Sequence, residues 1–282
     1  MPVMLSAIAL APLAATAAMA TACAAMSVFV VARRWAFIGE GISHSALGGA
    51  GFAWLLILLV PALRDVAWLP YLAVVIFCLA TAIAIGYINR GTRIAGDAAI
   101  GIFLVASLAF GFLAQKIYVH FQHRDPADFA ALLTGDLGVV IRPFTALLVV
   151  AVSAAVLITL IALGKEILSY CFDPLMAEAS GVNAGFIHYL LIILVAVTII
   201  IGIPVIGALL MTALLVLPGV TATLLSQRLG TVLKIAIAAA LISAVGGVII
   251  HSMWTFIPIG PAVVLILFVE FLAAYAGGRL SR

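Results

Sequence analysis

Residues 179–227 read ASGVNAGFIHYLLIILVAVTIIIGIPVIGALLMTALLVLPGVTATLLSQ, 49 positions without one Asp, Glu, Lys or Arg. As a single α-helix this run would be roughly 73 Å long at 1.5 Å per residue. A bilayer core is only about 30 Å thick and takes about 20 apolar residues per crossing. The run therefore predicts two crossings, and Pro204 in IGIPVIG is the natural break.

The rest of the chain repeats the pattern. Its 282 residues are 67% hydrophobic and 8% charged, against about 25% charged in an ordinary soluble domain. Other charge-free runs are 1–32, 41–63, 66–89, 98–115, 143–164 and 235–269. The last also needs two crossings, parted at FIPIGP, where Pro258 and Pro261 flank Gly260. The sum is nine spans. Strands of a membrane barrel alternate in polarity over about ten residues, and these runs do not. The expected fold is all-α: one polytopic membrane helical bundle over residues 1–282. Within it, 120–142 is expected as a non-spanning outer segment carrying Asp128 and Asp136.

The first 34 residues lack the basic start of a signal peptide. Their first cations, Arg33 and Arg34, follow the apolar run, so the segment is expected as a retained membrane helix. Cys23, Cys78 and Cys171 share no metal or disulfide spacing and are expected as small packing residues. The net charge of +3 comes from Lys and Arg flanking the spans, with no clustered basic face of the kind nucleic acid requires. Cations are denser in cytoplasmic loops. With the N-terminus outside, inner loops hold Arg33, Arg34, Arg90, Arg93, Lys165, Arg228, Lys234, Arg279 and Arg282. Outer loops then hold Arg64, Lys116, Arg124 and Arg142. Nine against four places the N-terminus outside and the C-terminus inside.

Glu40 and His44, in GEGISHSALGGAG (39–51), break the apolar pattern. Positions i and i+4 project from one helix face. A carboxylate and an imidazole that converge can bite a divalent cation. Counted from Arg34, His44 lies ten residues along, or roughly 15 Å, which is near mid-membrane. Ionisable groups at that depth face a cavity or a partner rather than lipid. The plain alternative is that the two side chains simply bond each other. Two ligands make a weak site, which suits an ion in transit. A zinc peptidase would need the H-E-x-x-H pattern, absent here.

The remaining polar residues say less. His120 and His123 lie in KIYVHFQHRDPAD, read as an outer loop, either solvated or lining a vestibule. His188 and His251 sit near span ends and are expected at the interface. Asp97 opens the fourth span, where an acid complements the helix N-terminus. Glu270 is isolated in the last span, with no partner evident.

The long inner loop reads KEILSYCFDPLMAEASGVN (165–183). Asp173 is an expected N-cap, Pro174 the first helical position and Gly181 a stop. The helix of about 170–182 is a connector or a docking surface for a soluble partner. The chain carries no G-x-x-x-x-G-K-[ST] loop for nucleotide phosphates, so uphill transport would need a separate ATPase or an ion gradient.

Five segments, in order, resemble the membrane permease subunits of bacterial ABC importers for zinc, manganese and iron, the ABC-3 family. VARRWAFIGEGISHSALGGAGFAWLL (31–56) resembles R-R-M-x-x-x-G-D-x-x-x-H-x-x-L-x-G, with Glu40 where the family usually has Asp. LLTGDLGVV (132–140), FDPLMAEASGVN (172–183), VIGALLMTALLVLPGVTATLL (205–225) and IPIGPAVVL (257–265) resemble four further family segments. PGVTA (218–222) replaces P-A-A-T-A. Both departures leave the metal open. The resemblance implies a homodimer in the bacterial cytoplasmic membrane around a central path, with Glu40 and His44 as transit ligands. It implies a cytoplasmic ATPase subunit docking near Phe172, Asp173, Pro174 and Glu178, and an extracytoplasmic metal-binding protein. It implies no catalytic residue and no permanently bound cofactor, the divalent metal being cargo. A gradient-driven transporter is the other open class. Such folds often carry inverted repeats, and none is evident.

Overall fold

The computed structural model describes residues 10–66, 68–91, 96–123, 143–254 and 256–280. Every long regular element among them is an α-helix. They are α1 (Leu10–Ala32), α2 (Ile38–Leu59), α3 (Leu69–Gly91), α4 (Gly96–Gln122), α5 (Pro143–Ala162), α6 (Gly164–Phe172) and α7 (Pro174–Ala179). Then follow α8 (Ala184–Ile206), α9 (Ala208–Leu214), α10 (Leu217–Leu225), α11 (Leu229–Met253) and α12 (Ile259–Leu280). A 3-10 turn, Pro61–Asp65, links α2 to α3.

Nine stretches of the described residues are long and apolar enough to cross a bilayer, matching the nine expected. α9 and α10 together make one of them, Ala208–Leu225. The chain is a multi-pass membrane protein. The 49-residue run does divide in two, but not at Pro204. α8 continues past Pro204 and stops at Gly207, whose φ of 82° and ψ of 158° belong to a region that only glycine enters cheaply. Proline within the last turn is tolerated because neighbours re-satisfy the freed backbone groups. The second break, at FIPIGP, falls where expected, with α11 ending at Met253 and α12 starting at Ile259.

Two groups of helices form the bundle. α1 is the centre of the larger one, with Met19, Cys23 and Met26 fully buried against α5, α10 and α11. α2 packs between α3 and α4. Helix α8 touches α1, α2, α3 and α5 and so joins the groups. Lipid tails give apolar helices no reason to associate, so contact is made by close backbone approach. A Cβ on Gly49 would sit 2.7 Å from the Val74 Cα of α3, and one on Gly111 would sit 2.9 Å from the Leu47 carbonyl group of α2. Larger residues at either position would push the helices apart.

All three cysteines are free and buried, as packing residues. α4 runs on to Gln122, so Lys116 and His120 belong to that helix rather than to an outer loop. Asp97 does lie in its first turn. Asp128, Asp136 and the segment LLTGDLGVV lie outside the described residues.

Candidate functional site

α1 ends at Ala32, and residues 33–37 turn the chain before α2 begins. Glu40 is therefore in the first helical turn, where a carboxylate opposes the positive end of the helix dipole. The count from Arg34 overshot: His44 stands six residues above Ile38, about 9 Å along the axis at 1.5 Å per residue.

The two side chains meet. His44 Nε2 lies 2.7 Å from Glu40 Oε1, with His44 22% and Glu40 39% exposed. His44 Nδ1 is buried and has no hydrogen-bond partner. The two side chains thus converge, which both the bite and the plain alternative require, and the hydrogen bond between them is the plain alternative itself. The two roles are compatible in geometry. Metal–ligand bonds of about 2.1 Å at 90–109° would separate the nitrogen and oxygen by roughly 3.0–3.4 Å. The pair needs to part by only a few tenths of an ångström to admit a cation.

α9 supplies a third group. The Thr212 hydroxyl lies near the Glu40 carboxylate and donates its proton to the Leu209 carbonyl at 3.0 Å. A Cβ on Gly39 would touch Leu215 at 3.3 Å and Thr212 at 3.7 Å, so the pair abuts the broken stretch between Gly207 and Pro218. Pro218 does not kink a continuous helix, as proline inside a span would. It opens α10, after a turn at Leu215–Val216, and is buried. A Cβ on Gly219 would lie 2.7 Å from the Ser27 carbonyl of α1. Among the described residues, no three His, Cys, Asp or Glu side chains gather, so the chain offers one imidazole, one carboxylate and one hydroxyl here.

The segment 165–183 holds a helix pair rather than one helix over 170–182. α6 ends at Phe172 and α7 begins at Pro174. Asp173 caps α7 as expected, accepting from the Leu175 and Met176 amides at 2.9 and 3.1 Å. Gly181 follows with a φ of 85°. Glu178 pairs with Arg90 of α3 at 3.4 Å. Phe172, Leu175 and Met176 are 79%, 77% and 63% exposed. None of the three lies in a candidate span. Such a cluster outside the candidate spans is a candidate interaction surface.

Two other expectations change. His188 is 3% exposed, not interfacial. Tyr170 approaches its Nδ1 at 2.7 Å, and the Gly86 carbonyl lies 3.0 Å from its Nε2. Burial raises the Tyr170 phenol above its ordinary range, opposed by the nearby Arg33 charge. Glu270 has Ser243 of α11 as a neighbour, although its Oε2 is buried without a partner. His251 holds the chain at a helix end, through Nδ1 to the Ile257 carbonyl at 2.7 Å.

The described residues thus form a polytopic helical bundle with a partly exposed Glu–His pair and an exposed apolar cluster on the segment before α8. The chain belongs to the ABC 3 transport family, whose profile matches residues 4–278. It is 30% identical over 254 residues to the manganese transport system membrane protein MntC of Halalkalibacterium halodurans, covering 90% of this chain and 81% of that protein. It is 33% identical over 238 residues to a probable iron transport system membrane protein of Haemophilus influenzae, covering 81% of this chain and 78% of that protein. The solved PsaBC of Streptococcus pneumoniae, in complex with a Fab, is 25% identical with a TM-score of 0.76, covering 95% of this chain and 91% of that one.

Proposed function

We propose that this chain is the permease subunit of an ATP-powered importer of divalent metal, manganese, zinc or iron. The supporting observation is the 2.7 Å Glu40–His44 pair on a helix of an ABC 3 transport chain, set against the broken stretch that holds Thr212. An ion held by one imidazole, one carboxylate and a hydroxyl is bound loosely enough to leave again. The remaining donors are water or the second copy of a homodimer. The break at Gly207 and the turn before Pro218 are the gate element, since a helix interrupted twice can swing without unwinding a whole span.

The exposed face of Phe172, Leu175 and Met176, set by the Asp173 cap and Pro174, receives a separate cytoplasmic ATPase subunit. Glu178, half-exposed and paired with Arg90 of α3 at 3.4 Å, borders that face. An extracytoplasmic protein delivers the ion. The chain performs no hydrolysis itself. It sits in the bacterial cytoplasmic membrane with its N-terminus outside and its C-terminus inside. A reporter fused after Arg282 should report cytoplasm. An extracytoplasmic signal there would put the patch on the wrong side.

The decisive measurement is metal uptake by cells carrying His44→Ala with the protein at its normal level. Background uptake supports the transit role. Wild-type uptake would reduce the pair to a hydrogen bond within the helix. Metal content of cells lacking the chain identifies the ion.

A further inference from the structure

The docking segment meets the membrane helices at one buried polar node. Tyr170 of α6 is 4% exposed and His188 of α8 is 3% exposed. A carbonyl only accepts, so the Gly86 oxygen, 3.0 Å away, requires the proton on His188 Nε2. In the neutral ring Nδ1 then accepts, and the Tyr170 hydroxyl, 2.7 Å away, donates. One tautomer satisfies every group in the chain Tyr170–His188–Gly86. Arg33, in the turn after α1, covers the Tyr170 ring with its guanidinium 4.4 Å from the centroid. Trp35 stands edge-on to His188 at 5.3 Å.

The node spans the molecule's main joints. It ties α6 to α8, and α8 to α3. A Cβ on Gly86 would lie 2.7 Å from Ile192 of α8, so those helices are already in close contact there. The Arg90–Glu178 pair fastens α7 to the same α3. In turn α3 touches α2 backbone to backbone at Gly49 and Val74, and α2 carries Glu40 and His44. Apolar contacts between helices can slide. Two directional hydrogen bonds in a dry site fix the register.

We propose that Tyr170 and His188 are positioning residues that lock the docking segment to α3 and α8. A displacement of residues 164–179 is thereby carried into α3 and on to the helix of the metal pair. The idea rests on reading that segment as the ATPase contact, and the test separates the two.

The test uses the full chain assembled with its ATPase subunit in liposomes, with the metal-delivering protein supplied, reading ATP hydrolysis and manganese uptake together. Tyr170→Phe keeps the ring under Arg33 and removes only the hydroxyl. His188→Gln keeps a donor for the Gly86 carbonyl, and His188→Asn keeps an acceptor for Tyr170. Each variant should hydrolyse ATP near the wild-type rate while uptake per ATP falls about tenfold. The Tyr170→Phe, His188→Asn double variant should be no worse than either single, because the bonds act as one relay. Wild-type coupling in Tyr170→Phe would overturn the proposal. So would a parallel fall of hydrolysis, uptake and thermal stability, which would mark a purely structural contact. Failure of the docking reading shows elsewhere, as an ATPase subunit that copurifies undiminished with a Phe172→Ser, Leu175→Ser, Met176→Ser chain.

Discussion

The chain keeps polar side chains in two places that differ in one respect. At the Tyr170–His188 node the hydroxyl and the ring N–H each have an acceptor and almost no surface is left. At the Glu40–His44 pair the surface is open, and His44 Nδ1 is buried without a partner. A saturated buried network rigidifies. An unsaturated one has capacity left for something from outside, and membrane-embedded ionisable groups that survive in that state are functional by default. That difference is why we propose a shape-setting role for the node and a cargo role for the pair.

The largest expected effect comes from the open site. His44→Ala should bring metal uptake to background while the assembled complex persists. Glu40→Gln keeps the shape and loses the charge, so its uptake should fall nearly as far. Glu40→Asp should keep activity, with a shifted metal preference, since the carboxylate withdraws by one methylene. Metal binding requires a deprotonated imidazole and an ionised carboxylate, so uptake should weaken as the medium is acidified. Uptake by Glu40→Gln equal to wild type would erase the contrast between open and saturated sites.

Next is the exposed patch. Replacing Phe172, Leu175 and Met176 together by Ser should leave the chain inserted and strip the ATPase subunit in a pull-down. The three side chains contribute little to the fold because they are mostly exposed. Interface hot spots concentrate in a few such anchors, each costing about 2 kcal/mol or more when truncated.

A smaller effect is expected at the break beside the pair. Gly207→Ala places a side chain in a conformation that costs about 1–3 kcal/mol. Thermal unfolding in detergent should drop by a few degrees. Uptake should fall further than stability does, because a straighter α8–α9 would draw Thr212 away from Glu40. An unchanged midpoint would mean the backbone there relaxes without strain.

The span count was legible because it depends only on length and apolarity against a fixed bilayer thickness. The cap of α7 was legible because Asp-Pro is a local signal. Glu40 and His44 were legible because i and i+4 is a local relation. What required three dimensions was everything joined across the sequence. Pro204 looked like the break, but α8 stops at the positive-φ conformation of Gly207, which the sequence alone does not reveal. Thr212 lies 172 positions from Glu40 by number, and nothing in its span distinguishes it from the other threonines. Tyr170 and His188 carry no motif, so a histidine near a span end reads as interfacial until α3 is seen behind it. Phe172 was named from the loop sequence, but the exposure of Leu175 and Met176 beside it was seen only in the structure.

The smallest effect, expected to be none, sharpens the saturated side of the contrast. Cys171 follows Tyr170 and is 7% exposed. Burial pushes its thiol up to about 11, partly opposed by the Arg33 charge. The raised value means the folded chain holds the proton as pH rises, until about 11 is reached. At pH 8 roughly one thiol in a thousand would be ionised, and the thiolate is the reactive form. Native protein treated with a maleimide at that pH should therefore show no label on the Cys171 peptide, while unfolded protein labels fully. Tyr170→Phe should leave this protection intact, since it removes a hydroxyl and not the packing around the thiol. Rapid labelling of native Cys171 would show that the inner cluster opens readily, and a cluster that opens readily cannot hold the docking segment in register with α3.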